Sequence, residues 1–465
     1  MNMINVRRLT VMTFLGAGML SSISAQISPL QVDTLKETKI PDQWDLQSCI
    51  DYAKEQNITI RKNRITAAST QIDVKTAKAA MFPSLSFSTS QQVVNRPYQE
   101  TSSRVSGNEI ISSNSKTSYN GNYGLNASWT LYNGNKRLKT IQQEKLNNQM
   151  AELDVATSEN NIQESIAQVY IQILYAAESV KVNENTLQVS IAQRDRGQEL
   201  LNAGSIAKSD LAQLEAQVST DRYQLVTAQA TLEDYKLQLK QLLELDGENE
   251  MNIYLPALSD ENVLAPLPTK RDVYISALSL RPEIEASKLN VEASELGINI
   301  AKSSYFPTIS LSAGIGTNHT SGSDFTFGEQ VKNGWNNSIG LSVSVPIFNN
   351  RQTKSAVQKA KLQYETSMLS LLDEQKALYK TIESLWLDAN SAQQRYAAAN
   401  EKLKSTKISY ELISEQFNLG MKNTVELLTE KNNLLQAQQE QLQAKYMAIL
   451  NTQLLKFYQG DQLAL

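Results

Sequence analysis

Hydrophobic and polar residues alternate strictly in two widely separated parts of the chain. Residues 84–88 alternate serine with leucine and phenylalanine, and residues 308–313 do the same with Thr, Ser, Ile and Leu. A second alternating segment follows each of them, with its apolar positions at Tyr123, Leu125, Ala127, Trp129 and Leu131, and at Trp335, Ile339, Leu341, Val343, Val345 and Ile347. A period of two predicts β-strands. We therefore expect strands at about 84–96, 119–131, 308–317 and 335–347.

Two long segments that lack proline follow the strand pairs, from Asn135 and from Arg351. At ~1.5 Å per residue, each could be a helical rod of about 100 Å. Glycine is sparse in both segments, and each segment turns near an Asn-x-Gly sequence, at Gly204 or Gly420, beyond which leucine recurs about every seven residues. The heptad positions are Leu211, Val218, Leu225, Leu232 and Leu239, and Leu428, Leu435, Leu442 and Ile449. This repeat predicts helices packed side by side as coiled coils.

The sequence is internally duplicated. Residues 77–86 (AKAAMFPSLS) recur as residues 301–310 (AKSSYFPTIS), and Asn202-Ala203-Gly204 recurs as Asn418-Leu419-Gly420. A helix that ends in an aromatic-Pro pair precedes the first strand of each half, at Asp45–Met81 and Arg271–Tyr305. We expect Ser/Asn/Gly-rich loops between the strands, at roughly 97–118 and 316–334.

These patterns predict a mixed, mainly α fold made of a duplicated helix, strand, strand and long helical hairpin. We place the first structural repeat at 26–256, with its hairpin at about 135–245. The second repeat is placed at 257–465, with its hairpin at about 351–458. Only 10 prolines and 18 glycines occur in 465 residues. This sparse punctuation argues against several compact globular domains.

Residues 1–25 have the order of a secretory signal peptide. Arg7 and Arg8 precede an apolar run from Leu9 to Leu20, and small residues lead to Ala25. A membrane anchor is the alternative, but a run of about 12 residues is short for a span that needs about 20. We predict export with cleavage after Ala25.

Charge and chemistry narrow the function classes. With 44 basic and 48 acidic residues and a net charge of -4, the chain has no long basic block that favours nucleic acid. One cysteine and one histidine are too few for a zinc quartet or a histidine-based triad. The carboxylates are scattered along helix faces, which is typical of solvated charges. An enzyme is therefore the least favoured class.

The alternating strands suit a barrel wall with lipid outside and water inside. A half-buried antiparallel sheet in a soluble protein is the alternative. Four strands cannot close a barrel, so several copies would have to contribute. Two copies would supply about eight strands and three about twelve.

The order of elements resembles the outer-membrane efflux proteins of the TolC family, over residues 40–458. The residues that carry the resemblance are Phe82-Pro83 and Phe306-Pro307 before the first strand of each half, and the Asn-x-Gly tips at Asn202 and Asn418. The resemblance implies a homotrimer whose strands form a 12-stranded outer-membrane β-barrel, continued by a long periplasmic α-helical barrel. It also implies a mixed equatorial region, to which Gly247–Pro268 would contribute.

The implied function is that of an outer-membrane channel in a tripartite efflux system. Small molecules such as drugs, bile-like detergents or dyes would pass from an inner-membrane RND or ABC pump, through a periplasmic adaptor (membrane fusion protein), to the exterior. The resemblance implies no cofactor and no metal. The alternatives are the exit duct of a type I protein secretion system and, from another class, a secreted coiled-coil structural or adhesive protein.

The hairpin tips are the candidate docking surface. By resemblance, the adaptor's helical tips meet them at Asn202, Gly204 and Ser205 in the first hairpin, and at Asn418, Gly420 and Met421 in the second. A tight turn requires a glycine at positive φ whether or not a partner binds. The glycines alone therefore do not indicate docking.

Two acids begin the return helices. By resemblance, Asp210 and Glu426 line the periplasmic aperture, and Lys422 and Phe417 hold the closed tip. Three copies would place six carboxylates around one opening, which would favour cations and raise the carboxylates' pKa values through repulsion. The alternative is simple helix capping, because the macrodipole favours acids in a first turn. Thr429 stands where the most acidic members carry a carboxylate, which weakens the predicted ring.

Four aromatic residues lie at strand ends: Trp129, Tyr132, Trp335 and Phe348. Aromatic belts form at membrane interfaces, and the resemblance places Tyr132 and Phe348 on the periplasmic rim. Packing in the equatorial region is the alternative.

Overall fold

A computed structural model describes residues 41–98, 102–106, 109–113, 116–246, 251–256, 263–321 and 325–463. The predicted signal peptide lies outside these residues. Contacts divide the chain into one unit of Met1–Asp42 and another of Gln43–Leu465. The second unit contains the strands and helical hairpins of both predicted repeats.

The described elements follow the duplicated order. In chain order they are α1 (Leu46–Gln56), α2 (Ile58–Ala79), β1 (Ser84–Asn95), β2 (Ser102–Ser106), β3 (Glu109–Ser113), β4 (Thr117–Asn133), α3 (Lys136–Asn202), α4 (Lys208–Leu242), α5 (Lys270–Leu280), α6 (Pro282–Ser303), β5 (Thr308–Thr320), α7 (Phe327–Asn333), β6 (Asn336–Ser344), α8 (Gln352–Asn418) and α9 (Thr424–Gln459).

The leading helix of each half is broken in two, so the prediction of one continuous helix per half is wrong. The side-chain carbonyl of Asn57 accepts hydrogen bonds from the backbone N–H groups of Thr59 and Ile60, which starts α2 as a new helix. In the second half, Pro282 occupies the first position of α6, where its missing N–H costs nothing.

Four strands form one antiparallel sheet in the order β1-β4-β5-β6. Pairing places the apolar side chains of all four on one face: Leu85, Phe87, Leu125, Ala127, Trp129, Ile309, Leu311, Ala313, Ile339, Leu341 and Val343. Serine, asparagine and glycine occupy the other face. Much of the apolar face is exposed in the single chain, with Phe87 67% and Ile339 84% accessible. Within the described strands, β1 and β6 each have one edge without a partner.

A β-bulge near the end of β4 changes which residues share the apolar face. Thr130 pairs with Ser310 and Tyr132 pairs with Ile309, so Leu131 has no partner in the ladder. The extra residue shifts the alternation by one position. Tyr132, rather than the predicted Leu131, therefore lies on the face of Trp129.

Two segments predicted as loops contain regular structure. β2 and β3 pair with each other as a separate two-stranded sheet within 97–118. Within 316–334, α7 begins with a capping box, in which Thr326 and Glu329 exchange hydrogen bonds with each other's backbone N–H groups. Short polar segments of this kind carry little hydrophobic periodicity, which is why the pattern missed them.

The helical hairpins are the longest elements. Helices α3 and α8 have 67 residues each, or about 100 Å at ~1.5 Å per residue. A sharp turn at Gly134, where φ is 67°, leads from β4 into α3, and an added Cβ there would lie 2.6 Å from the carbonyl oxygen of Ser303. Within the described residues, no helix has both the length and the apolar character needed to cross a membrane.

The main core lies where the middle of α3 and the end of α9 meet the chain around Trp44. Trp44 is 1% exposed, and its backbone pairs with the chain at Asn252 and Tyr254. The Tyr170 hydroxyl donates to the Tyr254 carbonyl over 2.6 Å. The described part of Gly247–Pro268 thus packs against the helices about midway along α3.

Candidate functional site

Both hairpin tips have the same backbone turn. Gly204 and Gly420 adopt φ of 76° and 73°, in the left-handed region that glycine enters without strain. Ser205 N–H donates to the Leu200 carbonyl over 2.8 Å, and Met421 N–H donates to the Gln416 carbonyl over 2.8 Å. This pattern is the Schellman motif that closes a helix C-terminus. Nothing lies within 4 Å of a Cβ added at either glycine, so the turn itself explains both glycines.

The side chains predicted to dock at the tips are accessible. Asn202 and Ser205 are exposed in the first tip, and Asn418 and Met421 in the second, where Met421 is 70% accessible. An exposed methionine at a loop tip offers an adaptable apolar contact. These residues are therefore available to a partner, and docking by them stays a prediction.

Asp210 caps the return helix of the first hairpin. Its carboxylate accepts a hydrogen bond of 3.0 Å from the Ala207 backbone N–H. Ala207 has no side-chain acceptor with which to complete the reciprocal bond. The first tip thus has half of a capping box.

Glu426 is more heavily connected at the second tip. Its carboxylate accepts from Lys422 Nζ over 2.5 Å and from the Asn423 backbone N–H over 3.2 Å. The Asn423 side chain accepts from Glu426 N–H over 2.9 Å, which completes the capping box. The hydrogen bond from Lys422, followed by that from Asn423, lowers the pKa of Glu426 below its ordinary value. In the single chain the pKa of Glu426 is thus lowered, whereas a ring of six carboxylates would raise it. The ring stays a prediction for the assembled protein.

Phe417 joins the two hairpins. Its side chain is 2% exposed and packs in a small core with Leu214 of α4 and Leu427 of α9. Its observed contacts are therefore those of a core residue, and a role at the aperture stays a prediction for the assembled protein.

The aromatic residues at the strand ends differ in their contacts. The Trp129 indole N–H donates to the Met81 carbonyl over 2.8 Å, which fixes the ring at the junction between α2 and the sheet. Tyr132 is half-buried, whereas Trp335 is 57% and Phe348 84% exposed. Phe348 lies beyond the end of β6. All four residues remain candidates for an interfacial belt.

Sequence reasoning missed one buried polar cluster near the tips. Lys431, Asp221 and Ser190 come from α9, α4 and α3 and are 3%, 1% and 2% exposed. Burial lowers the pKa of the Lys431 ammonium, although the Asp221 carboxylate opposes this shift. The available signal was Asp221, a charged residue three positions after Val218, at a heptad position where the preceding repeat of α4 carries Leu214. The corresponding position of α9 is polar in successive repeats, so Lys431 gave no such signal.

No group of three or more His, Cys, Asp or Glu side chains in the described ranges could hold a metal ion. Cys49 is a buried thiol whose burial raises its pKa to about 12. The candidate functional features of the described residues are the tips, the helical hairpins and the two-faced sheet.

Comparison with known proteins decides the family. The model of the family described as "Outer membrane efflux protein" matches residues 49–244 and 273–460. The chain belongs to the outer membrane efflux protein family. The two matched segments include both hairpins with their tips, and both strand pairs.

Relatives within the outer membrane efflux protein family are distant. The chain is 24% identical over 294 residues to the outer membrane efflux protein BepC of Brucella suis biovar 1. The aligned region covers 63% of this chain and 61% of BepC. It is 24% identical over 294 residues to the outer membrane protein TolC of Escherichia coli K12, which covers 61% of this chain and 58% of TolC. The matched regions thus span about three fifths of these relatives.

Solved structures establish the fold. A structure of CusC, described in connection with transmembrane channel formation, matches this chain with a TM-score of 0.75 at 19% identity. The match covers 90% of this chain and 92% of the CusC chain. The outer membrane protein VceC of Vibrio cholerae matches this chain with a TM-score of 0.72 at 16% identity. The match covers 90% of this chain and 97% of the VceC chain. At these identities the likeness concerns the architecture, and the predicted mainly helical fold with a strand pair in each half is confirmed at that level.

Proposed function

We propose that this protein is an outer-membrane channel of a tripartite efflux system. It conducts small molecules from an inner-membrane RND or ABC pump, through a periplasmic adaptor, to the exterior. The observation that carries the proposal is the sheet, because one face is apolar and exposed while the other carries serine, asparagine and glycine. Such a sheet suits a wall between lipid and water.

The proposal includes a homotrimer. The free edges of β1 and β6 would leave unpaired backbone groups in lipid, each at a cost of several kcal/mol. Pairing β6 of one copy with β1 of the next removes these edges, and three copies give a closed barrel of about twelve strands. The long hairpins would then continue the wall into the periplasm as a helical barrel. The channel performs no chemistry of its own.

Assembly is tested by analytical ultracentrifugation of the detergent-extracted protein. We expect one species at about three times the mass of the mature chain. A folded monomer that inserts into a bilayer by itself would contradict the trimer. A protein that leaves the cells without detergent would instead support the secreted structural alternative.

Efflux is tested in a strain that lacks the chromosomal copy of this protein. We expect the wild-type chain to restore resistance to dyes and detergents. Ser205→Glu and Met421→Glu should abolish this resistance while trimers persist in the outer membrane, because both side chains are exposed at the tips. Tyr223→Glu, an exposed position away from the tips, serves as the control and should retain resistance. Resistance in both tip variants would refute docking by the tips.

The interfacial position of the aromatics is tested by fluorescence quenching with brominated lipids. Trp44 and Trp386 are replaced by phenylalanine so that only Trp129 and Trp335 report. Quenching of either supports a belt at the membrane interface. Absence of quenching for both would favour packing away from lipid.

A second candidate is supported by the names of two relatives. The chain is 21% identical over 312 residues to the alkaline protease secretion protein AprF of Pseudomonas aeruginosa. It is 21% identical over 428 residues to the toxin and drug export protein A of Aggregatibacter actinomycetemcomitans. An exit duct for polypeptides predicts that the deletion strain loses a secreted protein from its medium but keeps its dye resistance.

A further inference from the structure

One carboxylate, that of Asp221 in α4, joins helices from both hairpins. Lys431 Nζ of α9 donates to Asp221 Oδ2 and to Ser190 Oγ of α3, and the Ser190 hydroxyl donates to the same carboxylate oxygen. Gln217 Nε2 donates to Asp221 Oδ1 over 2.9 Å. Both carboxylate oxygens are therefore satisfied in a site that is closed to solvent.

This ion pair is buried on both sides and connects the two hairpins. The side chains of Lys431 and Asp221 are 4% and 1% exposed, and they belong to α9 and α4. By contrast, Lys402 and Glu440 pair over 2.7 Å within one hairpin, with side chains that are 43% and 42% exposed. Solvent screens the second pair, whereas the first is held in a dry environment where an unpaired charge would be costly.

A gain in the free energy of unfolding does not explain well why this ion pair is buried. Desolvation of two charges offsets most of their attraction, and well-packed apolar residues at such positions are often equally or more stabilising. Asp221 occupies the second core position of its heptad, where neighbouring repeats place Leu214 and Ala228, and Lys431 faces it from a position of α9 that is polar in successive repeats. A polar residue at a coiled-coil core position commonly specifies register at a cost in stability. The cluster is thus better suited to fix an axial position than to add stability.

A partly open pocket lies beside Lys431. A cavity of about 120 Å³ lies between α3, α8 and α9, lined by Lys431 with Val189, Tyr410 and Leu435 among others. Apolar side chains therefore do not fill the side of α9 next to Lys431, and the charged cluster supplies part of the contact between the two hairpins at this height.

The cluster lies near the tips. At ~1.5 Å per residue, Lys431 lies ~16 Å along the chain's return helix from Gly420, and Asp221 lies ~25 Å along its own from Gly204. Helices transmit an axial shift along their length with little loss, because their backbone hydrogen bonds resist stretching. A contact at this position can therefore fix the relative height of the two tips.

We propose that Lys431, Asp221 and Ser190 form a register lock. The lock holds the second hairpin at one axial position against the first, so that both tips form a single composite surface for the partner. These three residues are positioning residues, since their buried side chains act through the exposed tips. The consequence for docking rests on the proposed efflux function, whereas the lock itself does not.

The lock is tested by the distance between spin labels on the two tips. Ser205 and Met421 are replaced by cysteine in a Cys49→Ser background, and the labelled chain is assembled with a large excess of unlabelled chain. In the wild-type background we expect one narrow distance distribution, measured by double electron–electron resonance. Lys402→Met, which removes an exposed pair within one hairpin, should leave this distribution unchanged.

The decisive variant replaces both charges with apolar residues, Lys431→Met with Asp221→Leu. This variant should be at least as stable to heat as the wild type, because no charge remains buried. The lock predicts that its tip-to-tip distribution nevertheless broadens or shifts by about one helical turn, ~5 Å. The exchanged pair, Lys431→Asp with Asp221→Lys, should restore the narrow distribution. A narrow, unshifted distribution in the apolar variant would overturn the lock.

Efflux by the same variants links the lock to docking. The apolar variant should lose resistance while trimers remain, and the exchanged pair should recover it. If the wild-type chain itself restores no resistance, the proposed function fails, and the spin-label distances still decide on the lock. If the distances shift but resistance is unchanged, the lock stands and its role in docking is refuted.

Discussion

The two hairpin tips share one backbone turn but differ in what surrounds it. In the first tip, Asp210 makes half of a capping box and Leu201 is half-buried. In the second tip, Glu426 completes a capping box and binds Lys422, and Phe417 at the position of Leu201 is buried against the first hairpin. Duplication thus preserved the turn while the two copies diverged in their contacts. The second tip depends on the first for its core, and this dependence can be measured.

Phe417→Ala should have the largest effect on the second tip. Truncating a fully buried phenylalanine typically costs about 3–5 kcal/mol. The matched change Leu201→Ala should cost much less, since Leu201 is only half-buried. Hydrogen exchange of the tip amides in detergent measures both local stabilities. Equal losses at the two positions would mean that the tips are packed alike, contrary to the comparison.

Replacing the glycine of the turn should destabilise the two tips equally. Gly204→Ala and Gly420→Ala each force a side chain into the left-handed region at a cost of about 1–2 kcal/mol. No neighbour lies close enough to add a clash at either site. Gly328→Ala in α7, which is also uncrowded but has no positive φ, should be neutral or slightly stabilising. Unequal costs at the two tips, measured by the same exchange experiment, would locate a difference in the turn itself.

Acidification should loosen the second tip, with the smallest of the three effects. The pKa of Glu426 is lowered in the folded chain, so its stabilising contribution is present above the ordinary value of 4.5 and is lost as pH falls through the folded pKa. Amide protection in the first turn of α9, corrected for intrinsic exchange, should therefore decrease below pH 4.5. Glu426→Gln should remove this dependence.

An increase in amide protection on acidification would have a different cause. If six carboxylates repel one another around an aperture, the pKa of Glu426 rises, and protonation would tighten the tip as pH falls. Protection that increases on acidification in the assembled protein would show that repulsion between copies outweighs the Lys422 pair. The experiment thus separates capping from a charged ring.

The sequence predicts elements whose signal is local. Period-two alternation locates the four strands of the main sheet near their observed bounds, and the two Asn-x-Gly sequences mark the tips. The bulge at Leu131 is not readable because it inserts a residue without breaking the apolar pattern. Pro282, by contrast, was a visible signal for the break between α5 and α6.

The features that the sequence does not predict depend on contacts between residues far apart in the chain. Lys431 and Asp221 are 210 residues apart, and only the packing of α9 on α4 brings them together. Their positions in the heptads were available from the sequence, but heptads alone do not identify which helices face each other. The same limit applies to Phe417, whose burial depends on Leu214 from the other hairpin.

The unpaired edges of β1 and β6 have a consequence for biogenesis. In the proposed assembly, a chain that has not yet joined a trimer presents an apolar sheet face and the two open edges of its described strands, which are templates for pairing with any other extended chain. The interval between export and assembly is therefore the period of greatest aggregation risk. Yield on overproduction should consequently be limited by aggregation of unassembled chains.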